Sequence, residues 1–296
     1  TFGGRVDHMT YALQAVEAPG VVAPLLDLFR KNQVAPDQID RVLTLIATLG
    51  GPKELGAVLN LTLDPNSALP PAEKASLLRS LANTSLTRRI QPEGDLARVA
   101  TLLDSSHEEL RTAAANVAGA WKLAVARPKL IDWAKSADGD AKVTEPMWRA
   151  ALDSLALLGG GENIASLADF AKPGRSFDRR HAAVVALARL DVKQASEQAA
   201  ELLTDWPVGA NPLGLIASLT GQKGGTEALV AALGKKSIKP DVAKLVLRAV
   251  QSAPSPSPDL IAAVQKAGGL ESAGWKHSPE LVAQLVAEAA KTGDPR

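Results

Sequence analysis

Two similar apolar segments lie near the middle of the chain: residues 108–121 read EELRTAAANVAGAW, and residues 148–160 read WRAALDSLALLGG. In the first segment the apolar positions, three or four residues apart, are Leu110, Ala113, Ala114, Val117, Ala118 and Trp121. In the second segment they are Trp148, Ala151, Leu152, Leu155 and Leu158. This spacing is typical of one face of an α-helix. We therefore predict two amphipathic helices, with Arg111 and Arg149 at matching places near their starts.

Each of these predicted helices is followed by a shorter partner. The first partner begins at Pro128, and the second follows the glycines at 159–161. We interpret these glycines, and those within 221–225, as helix stops rather than phosphate-binding loops, because no strand precedes them and no Gly-Lys-Ser/Thr follows. The rest of the chain resembles less regular copies of this helical hairpin. Their first helices begin roughly every 31 to 38 residues, a period found in two-helix repeats.

The whole chain is predicted to be all-α. We expect one right-handed α-α superhelix (a HEAT/ARM-like solenoid) over residues 1–296, with about eight hairpins and a last helix at about 279–291. It would include a first helix at about 6–17 and an unusually long turn at 84–94. Ordering about 35 residues costs on the order of 35–70 kcal/mol of backbone entropy, and about ten buried apolar side chains return only about 20 kcal/mol. One hairpin is therefore not expected to be stable alone, and neighbours must share their apolar faces.

The composition argues against several kinds of protein. Lys and Arg number 33 against 32 Asp and Glu, whereas nucleic-acid binders usually have a basic excess. The absence of Cys removes disulfides, thiolate nucleophiles, Cys-ligated zinc and covalently attached haem. No apolar run approaches the roughly 20 residues that span a bilayer. We expect no cofactor, no nucleic-acid partner and no membrane insertion. Because the chain begins at Thr1 and shows no signal-peptide pattern, we expect it to be a processed piece of a longer protein.

Five arginines form the basic part of a possible interaction surface. Arg175, Arg179 and Arg180 make up the densest basic stretch, at the predicted start of a helix, where positive charge opposes the helix macrodipole. Arg88 and Arg89 lie in the predicted long turn. For both groups the simpler interpretation is a solvated or salt-bridging role between repeats.

Tryptophans could form the aromatic part of such a surface. Trp206 and Trp275 lie at predicted loops, where an exposed ring could stack on a base or a sugar. Trp121 and Trp148 lie on the apolar stripes and are predicted to pack in the core. No set of residues indicates catalysis, because the four histidines are scattered and no two have metal-ligand spacing. We predict that the chain is not an enzyme.

The segments ELRTAAA at 109–115 and WRAALDSL at 148–155 resemble HEAT and HEAT-like repeats. In that family an Arg near the start of the first helix often pairs with a loop Asp of an adjacent repeat. The resemblance assigns this Arg to Arg111 and Arg149, and less well to Arg180, because His181 occupies the aligned place. It makes Asp104 and Asp138 possible partners.

A closer resemblance rests on HMTYAL at 8–13, on residues 149–160 and on the ending AAKTGDPR at 289–296. These segments resemble the HEAT-like part of planctomycete-type multidomain proteins, in which a propeller of the sugar-dehydrogenase type precedes the repeats and a small c-type cytochrome with a CxxCH haem site follows. The resemblance implies a non-catalytic scaffold that links these two modules in the periplasm or cell envelope, with neighbouring domains or another protein as partner. The chain has no CxxCH, so haem binding does not carry over to its residues.

Two other functions stay open at this point. One family of DNA glycosylases is built from HEAT-like repeats, so a nucleic-acid-binding protein is an alternative. It would need a basic concave groove with exposed aromatic rings. A peptide-binding solenoid is the other alternative, and an exposed apolar groove on the second helices would indicate it.

Overall fold

Helices make up the regular secondary structure of this protein. The computed structural model describes residues 22–31 and 33–270, together with the single positions 283, 286 and 287. Within these residues the backbone forms α-helices and 3-10 helices but no strand, only an isolated bridge between Pro173 and Arg175. The predicted all-α class is confirmed. The helices expected at 6–17 and 279–291 lie outside the described residues, apart from those three positions.

The chain divides into two compact units, Thr1–Ala195 and Ser196–Arg296. The α-helices, in chain order, are α1 (Val22–Arg30), α2 (Ile39–Leu49), α3 (Pro52–Leu63), α4 (Pro71–Arg88), α5 (Glu108–Ala120), α6 (Arg127–Lys135), α7 (Glu145–Leu158), α8 (Gly161–Phe170), α9 (Phe177–Ala188), α10 (Val192–Thr204), α11 (Leu213–Thr220), α12 (Gly225–Leu233), α13 (Pro240–Gln251) and α14 (Pro258–Ala267). The 3-10 helices lie at Pro36–Gln38, Leu96–Asp104 and Ala124–Ala126. Helix α10 contains the division between the units.

The two hairpins predicted from the central segments are present as α5 with α6 and α7 with α8. Pro128 and Pro146 stand in the first turns of α6 and α7, where a missing N–H removes no helical hydrogen bond. Helix α7 ends at Gly159, which has φ 68°, a left-handed conformation that glycine adopts without a steric penalty. The glycines therefore end the helix, as predicted.

The long turn predicted at 84–94 is wrong over its first half, because α4 continues as helix to Arg88. Thr84 and Ser85 remain in this helix with both side chains buried. Their hydroxyl groups have partners on neighbouring helices: Thr84 donates to a carbonyl of α2, and Ser85 accepts from the indole N–H of Trp121. Residues that often favour turns are thus kept in a helix by tertiary hydrogen bonds.

The loop that follows α4 is held against α3. The backbone N–H of Glu93 donates to the Pro52 carbonyl at 2.8 Å. A methyl group on Gly56 would lie only 2.4 Å from the Glu93 carbonyl oxygen, so this contact requires glycine. The second helix of this hairpin is the 3-10 helix Leu96–Asp104.

The helices of the first unit pack in two sets. Helices α2, α4, α5, α7 and α9 contact one another in that order. Among the partner helices, α1 contacts α3, α3 contacts the 3-10 helix at 96–104, and α6 contacts α8. The first helix of each hairpin thus packs on the first helix of the next hairpin, and the second helices pack on one another. The largest fully buried side chains of this unit are Leu43, Leu45, Ile46, Leu55, Leu59, Leu77, Leu78, Leu81, Leu130, Met147, Leu155 and Phe170.

Three buried hydrogen bonds cross between successive members of the first set. The donor and acceptor residues are Thr84 and Ala47, Trp121 and Ser85, and Ser154 and Ala115, at 2.8, 2.8 and 2.7 Å. The partners are 37, 36 and 39 residues apart. Each bond therefore spans about one period of the predicted repeat.

The helices of the second unit also contact one another in pairs. Helix α11 contacts α12 and α13, and α14 contacts α12 and α13. The backbone N–H of Ile238 donates to the Ala267 carbonyl at 2.9 Å, which joins the segment before α13 to the end of α14. Among the described residues, no helix has the length and apolar character needed to cross a membrane.

The closest approach between α5 and α7 lies at Gly119. A Cβ atom on Gly119 would meet the Cα and Cβ atoms of Ser154 at 2.7 and 2.8 Å. Real Cβ contacts are not that short, so even one methyl group would push the two helices apart.

We predict that Gly119→Ala lowers the free energy of unfolding by about 1–2 kcal/mol. Overpacking costs about 1–3 kcal/mol, and the better helix propensity of Ala returns about 0.5–1 kcal/mol. Urea unfolding followed by tryptophan fluorescence measures the change. The control is Gly161→Ala at the exposed start of α8, where a Cβ meets no atom within 4 Å. A stability of Gly119→Ala equal to or above that of this control would contradict the close packing of α5 on α7.

Candidate functional site

Three of the residues predicted for the interaction surface, Arg175, Arg179 and Arg180, lie around the start of α9, and Arg179 is at the centre of this region. The Arg179 side chain is 5% exposed, and its Nε contacts the Asp138 carboxylate at 2.7 Å. Its terminal nitrogens donate to the Ser136 hydroxyl at 3.1 Å and to the carbonyls of Ala137 and Ala134 at 3.3 and 3.4 Å. One buried guanidinium thus holds both the end of α6 and the loop after it.

Asp138 joins the same loop to the beginning of α9. Its carboxylate accepts hydrogen bonds from the backbone N–H and the hydroxyl group of Ser176, both at 2.9 Å. Burial raises the pKa of Asp138, but the two bonds from Ser176 and the charges of Arg179 and Arg175 outweigh it and hold the pKa below its usual value. The carboxylate is therefore stabilised in its charged form.

The ring of Trp148 provides the aromatic wall of this region. The guanidinium carbons of Arg149 and Arg179 lie 4.7 and 4.9 Å from the ring centroid. This is cation–π distance, and such contacts are stronger when they are shielded from water. Arg149 also pairs with Glu145 on its own helix at 2.7 Å. Trp148 is buried, as the apolar stripe predicted.

The other two arginines of the basic stretch also contact the ends of preceding helices. Arg175 lies over the ring of Phe170 at 5.1 Å and donates to the Ala134 carbonyl at 3.4 Å. Arg180 is 8% exposed, and its Nε donates to the carbonyl of Ala171, the C-cap residue of α8, at 3.3 Å. From sequence these charges seemed to oppose the dipole of α9. Their guanidinium groups instead reach the C-terminal ends of α6 and α8, where positive charge is favourable.

Arg88 also bonds the C-terminal end of a preceding helix, whereas Arg89 does not. Arg88 donates to the carbonyls of Thr48 and Gly50 at 3.0 and 2.8 Å, at the end of α2. Arg89 is the exposed C-cap residue of α4, with φ 55°. The expected basic surface is therefore largely occupied by contacts within the protein.

The prediction that Trp206 lies on an open surface is wrong. Trp206 is only 3% exposed, and its indole N–H donates to the Ala210 carbonyl at 2.9 Å. The loop folds back over the ring because the indole N–H requires an acceptor once it is buried. Trp275 lies outside the described residues.

The pairing that the HEAT-like resemblance implied occurs once, with a different Arg. Asp138 pairs with Arg179, while Asp104 pairs with Lys129 at 2.6 Å. Arg180 bonds a carbonyl instead, since Arg179 is the residue placed towards the loop. Aligning the two clear repeats did not indicate Arg179. His181 occupies the position that matches Arg111 and Arg149, and Arg179 lies two residues before it.

His181 lies beside this region but does not indicate a metal site. Its ring stacks on Phe177, with centroids 6.0 Å apart. Burial, and then the charge of Arg149, lower the pKa of His181 below its usual value, and Asp178 opposes them. Among the described residues, no group of three or more His, Cys, Asp and Glu side chains could hold a metal ion.

The arrangement is suited to joining helices rather than to bond chemistry. Its charged groups bind carbonyls, hydroxyls and one another, and its aromatic rings are covered by guanidinium groups. A scan of protein-family models and a search of curated proteins return no match to this chain.

We predict that Arg179→Met lowers the free energy of unfolding by about 2–3 kcal/mol, since removing the buried guanidinium leaves the half-exposed Asp138 and three other acceptors without their donor. Arg179→Lys should restore less than half of the loss, because an ammonium group cannot bridge several acceptors as a guanidinium does. The matched control is Arg89→Gln, on an exposed side chain, with a change within about 0.5 kcal/mol. Urea unfolding measures all three variants. If the Arg179→Met protein were as stable as the control, the contacts of Arg179 would contribute nothing to the free energy of unfolding.

We predict that stability falls as the pH falls below about 6.5, in part through His181. The pKa of His181 is lowered in the folded protein, so the unfolded chain takes up this proton first and gains stability as the pH drops. His181→Gln should therefore lose less stability than the wild type between about pH 7.5 and about pH 5.5. Thermal unfolding at several pH values measures the slope. His107→Gln, on the exposed histidine before α5, is the matched control variant. Equal slopes for wild type and His181→Gln would contradict the prediction.

Proposed function

We propose that residues 1–296 form a right-handed HEAT-like solenoid that serves as a non-catalytic scaffold and protein-interaction module. The observation that carries the proposal is the regular separation of partners in contacts between hairpins. Besides the three bonds inside the first set of helices, the pairs Arg88 and Thr48, Arg98 and Asn60, Arg127 and Glu162, and Lys236 and Glu201 are 40, 38, 35 and 35 residues apart.

This regularity supports a stack of hairpins, because one recurring separation means that each hairpin contacts the next in a similar way. The order of contacts from α2 to α9 supports the same arrangement. In such a protein each repeat is stabilised by its neighbours, and the resulting surface is large and of fixed shape. These properties suit a scaffold that keeps other domains at a set distance.

In the parent protein, the scaffold would link a dehydrogenase-like propeller to a c-type cytochrome module in the periplasm or cell envelope. This part of the proposal rests on the resemblance of residues 149–160 and of the two terminal segments. The haem would belong to the cytochrome module, since the present chain has no CxxCH. The partners would be these neighbouring domains or another protein.

The two alternatives have less support. A nucleic-acid binder needs free basic groups, but Arg88, Arg179 and Arg180 are engaged by backbone carbonyls. A peptide-binding solenoid would present an apolar groove on its second helices. An apolar cavity of about 600 Å³ in the second unit is instead lined mainly by α11, by α13 and by residues 252–257, while the cavity between the partner helices α1 and α3 is smaller, at about 310 Å³.

We predict that the purified chain shows no haem absorbance and no dehydrogenase turnover with sugars or alcohols as electron donors. It should also leave labelled single- and double-stranded DNA unbound at micromolar protein and physiological salt. Absorbance spectra, dye-reduction assays and fluorescence anisotropy measure these outcomes. Substrate turnover by this chain alone would contradict the scaffold proposal, and salt-sensitive DNA binding would favour the nucleic-acid alternative.

A second experiment tests the spacing role directly, by replacing the scaffold in the parent protein. Where the reading frame beyond Arg296 encodes a CxxCH module, exchanging residues 1–296 for a flexible Gly/Ser linker should slow haem reduction by the dehydrogenase-like module. A flexible linker loses the fixed spacing that a stiff one maintains. Unchanged haem reduction would contradict a spacing role.

A further inference from the structure

A polar cavity of about 640 Å³ lies in the first unit between the start of α5, helix α6 and the loop that follows α6. Its volume falls in the range of small-ligand sites. The charged residues of its lining are Asp104, Arg111, Lys129, Asp132, Asp140 and Lys142. Trp133, which is buried, forms part of its wall.

Arg111 combines two features that do not occur together in the nearby Arg127 and Arg179. Its Nε is shielded from solvent and has no hydrogen-bond acceptor among the described residues. No ion pair with a described carboxylate involves its guanidinium group. Arg127 also has a shielded Nε without an acceptor among these residues, but it pairs with Glu162 at 3.0 Å. Arg179, in contrast, has a carboxylate, a hydroxyl group and two carbonyls as acceptors. Arg111 is half-buried, and a guanidinium with one shielded N–H that lacks an acceptor and with no ion pair is unusual, because a shielded donor needs an acceptor in return for its lost hydration.

The remaining charges of the lining limit which groups could pair with Arg111. Lys129 and Asp104 neutralise each other through their 2.6 Å ion pair. Asp140 accepts from the backbone N–H of Lys142 at 2.9 Å. Asp132 is exposed on α6. Because carboxylates and cations are equal in number, the lining has no net positive charge that would favour a dianion such as phosphate over a single carboxylate. A carboxylate with a positively charged group next to it could pair with one cation and one carboxylate of the lining.

We propose that this cavity binds one Asp or Glu side chain of a partner protein, with Arg111 as its ion-pair partner and with Asp132 facing a basic residue next to that acid. The proposal rests on the proposed interaction function and specifies its contact chemistry. The loop of the cavity is suited to this role, because Arg179 and Asp138 hold it from the side of α9.

The test follows the Nε–H resonance of Arg111 in the full chain labelled with ¹⁵N-arginine. The resonance is assigned by its loss in Arg111→Gln. The probe is the blocked tripeptide Lys-Glu-Lys, and its matched control is blocked Lys-Gln-Lys. Inorganic phosphate and free glutamate are added separately to identify a small-anion or amino-acid site.

A saturable shift with Lys-Glu-Lys, at least about tenfold tighter than with Lys-Gln-Lys, is expected, since a charge-assisted pair contributes about a factor of ten or more. Arg111→Gln should bind Lys-Glu-Lys about tenfold more weakly, as measured by calorimetry. No saturable shift, equal shifts with both peptides, or tighter binding of phosphate or free glutamate would overturn the proposal. If Arg111→Gln fails to fold, the comparison of the two peptides on the wild type still decides. Failure here would leave the redox and DNA tests of the scaffold function unaffected.

Discussion

Contact between neighbouring hairpins is the constraint on which the first unit depends. A hairpin of two short helices exposes an apolar face that it cannot bury alone, so each hairpin must cover the face of the next. Helix α5 illustrates how close this contact is. Most of its buried positions are Ala or Gly, and Gly119 allows the backbone of α7 to approach to a distance at which no methyl group fits. Small side chains here increase the area of helix–helix contact rather than the volume of the core.

Polar groups strengthen the same contacts. Buried hydroxyl and indole groups bond across from one first helix to the next, and arginines bond the carbonyls that helix ends leave without partners. An arginine suits this position because its several donors can reach more than one carbonyl, and its long apolar stem packs on an aromatic ring. Trp148 and Arg179 combine both effects at the start of α9. The charged residues that attracted attention in the sequence are therefore mostly part of the packing.

Arg111 and the cavity beside it differ from this pattern. The buried arginines Arg179 and Arg180 have acceptors within the chain. Arg127, whose Nε also lacks one among the described residues, pairs with Glu162 through a terminal nitrogen. At Arg111 the local acids are already paired, exposed or bonded to the backbone. Arg111, which has neither an ion pair nor an acceptor for its Nε in the described part of the chain, thus differs from the structural arginines around it.

Periodicity in the sequence was enough to predict the all-α class, the two central hairpins and the glycine stop after α7, because helix faces and helix ends are local properties. The burial of Trp121 and Trp148 followed from the same stripes. Three features depended on tertiary structure. Helix α4 extends through Thr84 and Ser85 because distant residues bond their hydroxyl groups, Trp206 is buried because its loop folds back, and Asp138 pairs with Arg179 because two segments 41 residues apart meet in space. Sequence alone thus determined which segments become helices, since that depends on residues within a few turns. The end of α4 and the partner of each polar side chain were decided only when the hairpins packed against one another.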